Sequence, residues 1–276
     1  MKRFSVLIIA LAMSLWSALA QDNVIRILAI GNSFSEDAVE QNLWNIADAD
    51  GVQLIIGNMY IGGCTIERHV NNLRDNKADY AYRKIGLDGQ MTRTRNFTLV
   101  QAVTDEPWDY ISVQQASGVS GIYDSYALLP ELVAWIRATA PQARVVFHQT
   151  WAYSQTSTHQ EFPNYNSDQI TMYYAIQDAS SRAAKDNGID IIIPSGRSIQ
   201  YARCMVPEKD ITRDGYHLNM RYARFIAAAT WYETLCGKTI LNNSFRPENV
   251  SEEELAKAKL AVAAAVHGPL PFAIFQ

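Results

Sequence analysis

Cysteine is scarce. Cys64, Cys204 and Cys236 are the only three in 276 residues, so a disulfide-stapled scaffold is excluded, and the absence of any Cys-x-x-Cys or Cys/His ligand spacing leaves no metal-site pattern. One disulfide among the three, or three buried small side chains, both remain open. An excess of cations is missing too: 24 Lys and Arg face 28 Asp and Glu, a net charge of −4 at pH 7, which argues against nucleic acid as a partner. Beyond residue 20 no run approaches the roughly 20 apolar residues that cross a bilayer. Repeats and low-complexity stretches are absent. The Gly-x-Ser-x-Gly elbow of ordinary α/β-hydrolases is absent as well, since SGVSG at 117–121 reads as a glycine-serine loop.

The one long apolar stretch lies at the start. Residues 1–20, MKRFSVLIIALAMSLWSALA, begin with Lys2 and Arg3 and end on Ala18-Leu19-Ala20, the charge, apolar core and small-x-small ending of a cleavable secretory leader. The expectation is a mature chain from Gln21 onward, exported to the periplasm or the exterior of a bacterium. Removal of the leader takes away two cations and no carboxylate, so the mature chain is more acidic still.

Apolar runs that read as buried strands recur at 24–30, 52–56, 110–115, 144–149 and 189–193, and between them helical periodicity covers 36–49, 124–139, 167–187 and 217–236. Strand followed by helix, repeated, predicts an α/β domain: a three-layer α/β/α sandwich around a mainly parallel five-stranded sheet. Residues 21–276 are expected to form this single domain. The segment 78–97, with Asp88-Gly89 between two alternating stretches, reads as a hairpin inserted into that core. Ser251 with Glu254 marks a capping box before an Ala-rich final helix.

The run ILAIGNSFSED at 27–37 stops abruptly at a glycine, an asparagine and Ser33. A strand-to-helix turn exposes a side chain and points backbone N–H groups at whatever it touches, which suits a nucleophile. A serine hydroxyl needs a base to take its proton. Of the five histidines, His69, His148, His159 and His267 read as structural or solvent-facing, whereas His217 stands in RDGYHLNMRYA with Asp214 three residues before it. That spacing lets a carboxylate on a turn fix the imidazole tautomer.

AIGNSFS near the mature N-terminus together with DGYHLN near the C-terminus resembles the SGNH, or GDSL-type, hydrolases, over the span from Ile27 to about Ala229. The resemblance implies a flavodoxin-like fold and a serine hydrolase needing no cofactor and no metal, with Ser33 as nucleophile, His217 as base and acid, and Asp214 as its orienting partner. It also implies an oxyanion hole made by the N–H of Ser33 and a glycine N–H, for which YIGGCTIERH offers Gly62 and Gly63, with Gly63 the favoured of the two. The family's Gly-x-Asn-Asp block is missing, and Asn32 stands where the family has aspartate. At the equivalent strand end ISVQQASG offers Gln114 or Gln115 as a side-chain amide donor.

Export, an acidic chain and the aromatic residues Trp108, Tyr123, Trp151 and Tyr153 point to an acylated carbohydrate as substrate, with Trp151 and Tyr153 as sugar-stacking candidates; lipid, thioester or aryl esters are the other ester classes. Two further readings compete: a carbohydrate-binding protein that has lost catalysis, and a metal-dependent phosphoesterase built on Asp37, Asp214 and His217.

Overall fold

The computed structural model describes residues 24–207 and 209–268; the leader expected at 1–20 lies outside them. Its centre is one sheet of seven strands in the order β4-β3-β2-β1-β5-β6-β7. These are β1 (Ile25–Gly31), β2 (Leu54–Tyr60), β3 (Tyr80–Ile85), β4 (Met91–Phe97), β5 (Tyr110–Val113), β6 (Arg144–His148) and β7 (Ile192–Ile193). The neighbours β2-β1-β5-β6-β7 pair in parallel, and they coincide with the five strands read from the sequence. The expected five-stranded count is nevertheless corrected: the 78–97 hairpin is no excursion, because β3 pairs antiparallel with β2, and β4 with β3. The result is a mixed sheet.

Strand composition follows from burial. In β1, Ile27 and Ala29 enter one core while Leu28 and Ile30 enter the other, so a strand covered on both faces becomes an unbroken apolar run. β4 is exposed from Thr92 to Asn96 and carries Arg93 and Arg95, charges that discourage a foreign strand from adding to the edge.

Helices cover both faces. α1 (Ser33–Val39), α2 (Leu43–Ala49), α7 (Ser195–Met205), α8 (Tyr222–Cys236) and α9 (Glu252–His267) build one core. α3 (Ile66–Arg74), α4 (Leu99–Val103) and α5 (Leu129–Thr139) build the other, and α6 (Gln169–Asp186) contributes to both. α9 opens on the Ser251–Glu254 capping box.

Three helix boundaries differ from the periodicity. The single helix expected over 36–49 is two, broken at 40–42, where the Glu40 carboxylate turns to Arg83 and Asn58 and the Gln41 amide donates to the Met220 carbonyl. The helix expected from 124 starts at Leu129 with Pro130 in its first turn, where a missing N–H costs nothing. The one expected from 217 starts at Tyr222, because Leu218 bridges back to Thr212. The three cysteines are unpaired thiols. Among the described residues no helix is long and apolar enough to cross a membrane.

Candidate active site

Ser33 stands immediately beyond the carboxyl end of β1. Asn32, in extended conformation, caps α1 by accepting the Phe34 N–H on Oδ1 at 3.0 Å. Ser33 is therefore the first helical residue, and its own N–H has no acceptor within the helix. Gly31 leads into the turn because nothing larger fits: a Cβ there would stand 2.5 Å from Ser35 Oγ and 2.9 Å from Gln114 Cδ.

Residues 211–218 reach Ser33 from the far end of the chain. The Thr212–Leu218 bridge and an Arg213 N–H bond to the His217 carbonyl close a tight loop, and Asp214 fills it, its Oδ1 accepting the N–H of His217 at 2.8 Å and of Tyr216 at 3.2 Å. Oδ2 is left for the imidazole: His217 Nδ1–H donates to it at 2.6 Å, and the Ser33 hydroxyl donates to His217 Nε2 at 2.8 Å. An ionised carboxylate only accepts, so it fixes the proton on Nδ1 and leaves the Nε2 lone pair facing Ser33. Burial pushes the Asp214 carboxyl up, but the bonds from the His217 side chain and the two N–H groups outweigh it and hold the group below its ordinary range.

A buried ion pair ties the two blocks together. Asp37, on α1, accepts the Leu218 N–H at 2.7 Å and the Arg213 guanidinium at 3.1 Å, and pairs with Arg224 of α8. Its side chain is fully buried, and burial raises its carboxyl above the usual value against the pull of Arg224 and Arg213. The Asp37, Asp214, His217 metal set is therefore not assembled, because Asp37 faces guanidinium groups while Asp214 faces the imidazole. On the other side of α1, Arg83 of β3 binds Glu40 at 2.9 Å and Glu36 at 3.2 Å and lies 3.8 Å over the Tyr60 ring.

The donor candidates separate. Gly63 lies third in a turn closed by Cys64 N–H to the Ile61 carbonyl, with φ of +62°, a conformation that favours glycine. Asn32 Nδ2 donates to the Cys64 carbonyl at 3.1 Å, joining this turn to that of Ser33. Gln114 Nε2 donates to Asn32 Oδ1 at 2.9 Å, which places it beside the nucleophile turn. Gln115 has a different task from the one expected: its Nε2 meets Ser125 O at 2.7 Å and Oγ at 3.2 Å, and its Oε1 takes the N–H of Ile66 and Ala116. Both amide hydrogens are thus spent on pinning loops.

The sugar-stacking candidates need correction. Trp151 and Tyr153 are each 0% exposed; Trp151 stacks on Phe34 at 4.2 Å and donates to the Tyr216 carbonyl, while the Tyr153 hydroxyl bonds Ser117 Oγ. They support the site from below. Trp108 is buried in the opposite core, and the Tyr123 hydroxyl bonds Asp186. The ring against His217 belongs instead to Tyr216, at 4.1 Å, with His159 packed edge-on against Tyr216 at 4.6 Å. Tyr216 sits inside the DGYH block and could have been read there; His159 left no periodic or spacing signal.

The family model described as a domain of unknown function, DUF4886, matches residues 26–267. The chain is similar to the crystal structure of a DUF4886 family protein from Bacteroides uniformis, 47% identical, TM-score 0.86, over 90% of this chain and 97% of that one. It is similar in fold to a Slackia heliotrinireducens protein that carries a provisional SGNH hydrolase name, 20% identical, TM-score 0.50, over 77% of this chain and 99% of that one. A third structure, of an acetyl xylan esterase, is 14% identical with a TM-score of 0.50, over 75% of this chain and 98% of that one. No curated protein matches.

Proposed function

For this chain, which belongs to the DUF4886 family, we propose the activity of an exported serine esterase that removes acyl groups, acetyl foremost, from carbohydrate. The observation that supports it most is the alignment of Ser33 Oγ, His217 and Asp214 at 2.8 and 2.6 Å. The SGNH and acetyl xylan esterase names among structures of like fold favour the same chemistry.

His217 Nε2 takes the Ser33 proton as Oγ attacks the ester carbonyl carbon. The tetrahedral oxyanion is received by the N–H groups of Ser33 and Gly63 and by the second amide hydrogen of Gln114. Protonated His217, stabilised by Asp214, gives its proton to the departing sugar oxygen. Water then attacks the acyl-Ser33, surrendering a proton to the same nitrogen, and the acid leaves as Ser33 is restored. Every step uses groups of the chain and water alone.

Hydrolysis of 4-nitrophenyl acetate by the chain lacking residues 1–20 tests this. Activity should be indifferent to chelators and fall by about 10³-fold or more in Ser33→Ala and His217→Ala. Wild type at the level of both variants would transfer the weight to a glycan-binding protein without catalysis.

A further inference from the structure

His148 read from the sequence as structural or solvent-facing, yet it occupies the far end of a buried chain of hydrogen bonds that leads to the nucleophile turn. Every link has a forced direction. The Phe34 N–H can only donate, so it meets Asn32 Oδ1, and Nδ2 of the same amide must then be the atom that holds the Cys64 carbonyl. Gln114 Nε2 donates to that same Oδ1, so its Oε1 is an acceptor, and the His148 Nδ1 that lies 2.7 Å from it must carry the proton. His148 Nε2 is left with a lone pair, which the Ser195 hydroxyl meets at 3.1 Å. Asn32, Gln114, His148 and Ser195 are all at most 2% exposed, so no water competes for these bonds. Burial pushes the imidazole down to about 3, and the neutral form this requires is the one that can donate from one nitrogen and accept on the other.

We infer that His148 is a positioning residue for the oxyanion hole: its Nδ1–H, bonded to Gln114 Oε1, works with Asn32 Oδ1 at the other end to lock the Gln114 amide, so that nitrogen rather than oxygen faces the Ser33 turn. This rests on the esterase reading of the site. An amide has two nearly isosteric orientations. With Oε1 turned toward Asn32, two carbonyl-type oxygens would oppose each other, because the Phe34 N–H and the Cys64 carbonyl already fix Asn32 Oδ1 in place, and no amide hydrogen of Gln114 would face the Ser33 turn. One imidazole proton thus anchors the Gln114 donor from its far side.

Two measurements test it. Nitrogen-15 NMR of the histidine-labelled wild-type chain should find His148 neutral with the proton on Nδ1; a proton on Nε2 overturns the inference whatever the enzyme does. Kinetics of His148→Phe, which keeps a ring for the edge contact with Trp231 at 5.0 Å, should be read per site titrated with a fluorophosphonate, so that unfolded molecules are not counted. kcat per titrated site should fall about 10- to 100-fold with little change in KM, and His148→Asn, whose amide can place a donor where Nδ1–H stood, should recover most of it. An unchanged kcat per site in His148→Phe, or failure of His148→Asn to differ from it, overturns the positioning role. A wild type that neither hydrolyses aryl acetate nor takes the label overturns the esterase reading instead, and leaves the tautomer result standing.

Discussion

Asp37 Oδ2 accepts the backbone N–H of Leu218 at 2.7 Å, across 181 positions of sequence. Leu218 follows His217, and Asp37 lies one helical turn beyond Ser33, so this bond joins the base to its nucleophile. Asp37→Asn should strand Arg213 and Arg224 without their common anion, costing about 3–5 kcal/mol as broken buried pairs do. Urea denaturation reads the loss, and kcat on aryl acetate should fall with it; unchanged stability would mean that the two guanidinium groups find water on their own.

Asp214→Asn replaces an acceptor-only group by one that can also donate. The imidazole then has no reason to keep its proton on Nδ1, and kcat should drop by about 10² to 10⁴ while the far-UV circular dichroism stays that of the wild type. A decline of only a few fold would show that His217 is held by its backbone bonds alone.

Trp151 is sealed beneath the site, stacked on Phe34. Trp151→Ala should destabilise by about 3–5 kcal/mol, whereas Trp151→Phe should leave KM for an acetylated oligosaccharide near the wild-type value. Tyr216 is the contrasting position: its ring abuts His217, and Tyr216→Ala should raise KM for such a substrate. Equal KM effects at both positions would contradict this division.

His148 and His69 are both fully buried, and burial lowers each from 6.5 to about 3, with Arg68 adding to the effect on His69. A lowered base is neutral in the fold and protonated in the unfolded chain, so its contribution is present above pH 6.5 and is lost as pH falls toward 3. Each should cost about 2–3 kcal/mol at pH 4.5. Asp37 and Glu40, raised by burial against their arginines, act oppositely in the lower part of that window. The reading is therefore the difference in denaturation free energy between wild type and His69→Phe or His148→Phe from pH 7 to 4.5, which should narrow on acidification. Parallel curves would place a proton on the folded histidines at ordinary pH.

Much of the scaffold is legible because parallel strands buried on both faces become apolar runs, as in VIRILAI and RVVFH. The serine, aspartate and histidine were legible from two local blocks. Three classes of feature were not. The hairpin reads as an insertion and not as part of the sheet because β4, an edge strand, is polar and charged, and pairing of β3 with β2 is a long-range event without a local mark. The helix break at 40–42 is imposed by side chains reaching to Asn58, Arg83 and Met220, none of them neighbours in sequence. Aromatic composition does not reveal which rings face out: Trp151 and Tyr216 are both large rings close to the site, and only packing separates the prop from the wall. His148 escaped for a related reason, since a histidine ending an apolar strand looks the same whether it fills space or donates a proton to Gln114.

The Arg83 clamp changes how this protein could be engineered. An insertion that hung from the surface could be trimmed to obtain a smaller catalyst, but here β3 lies between β2 and β4 and its arginine grips two carboxylates of the nucleophile helix. Deleting 78–97 would remove a strap from beneath Ser33 along with two strands. Room for added sequence lies instead at Leu87 and Asp88, on the exposed tip of the same hairpin, where a fused binding module or affinity tag could be carried at the end of a sheet that already reaches away from the chemistry.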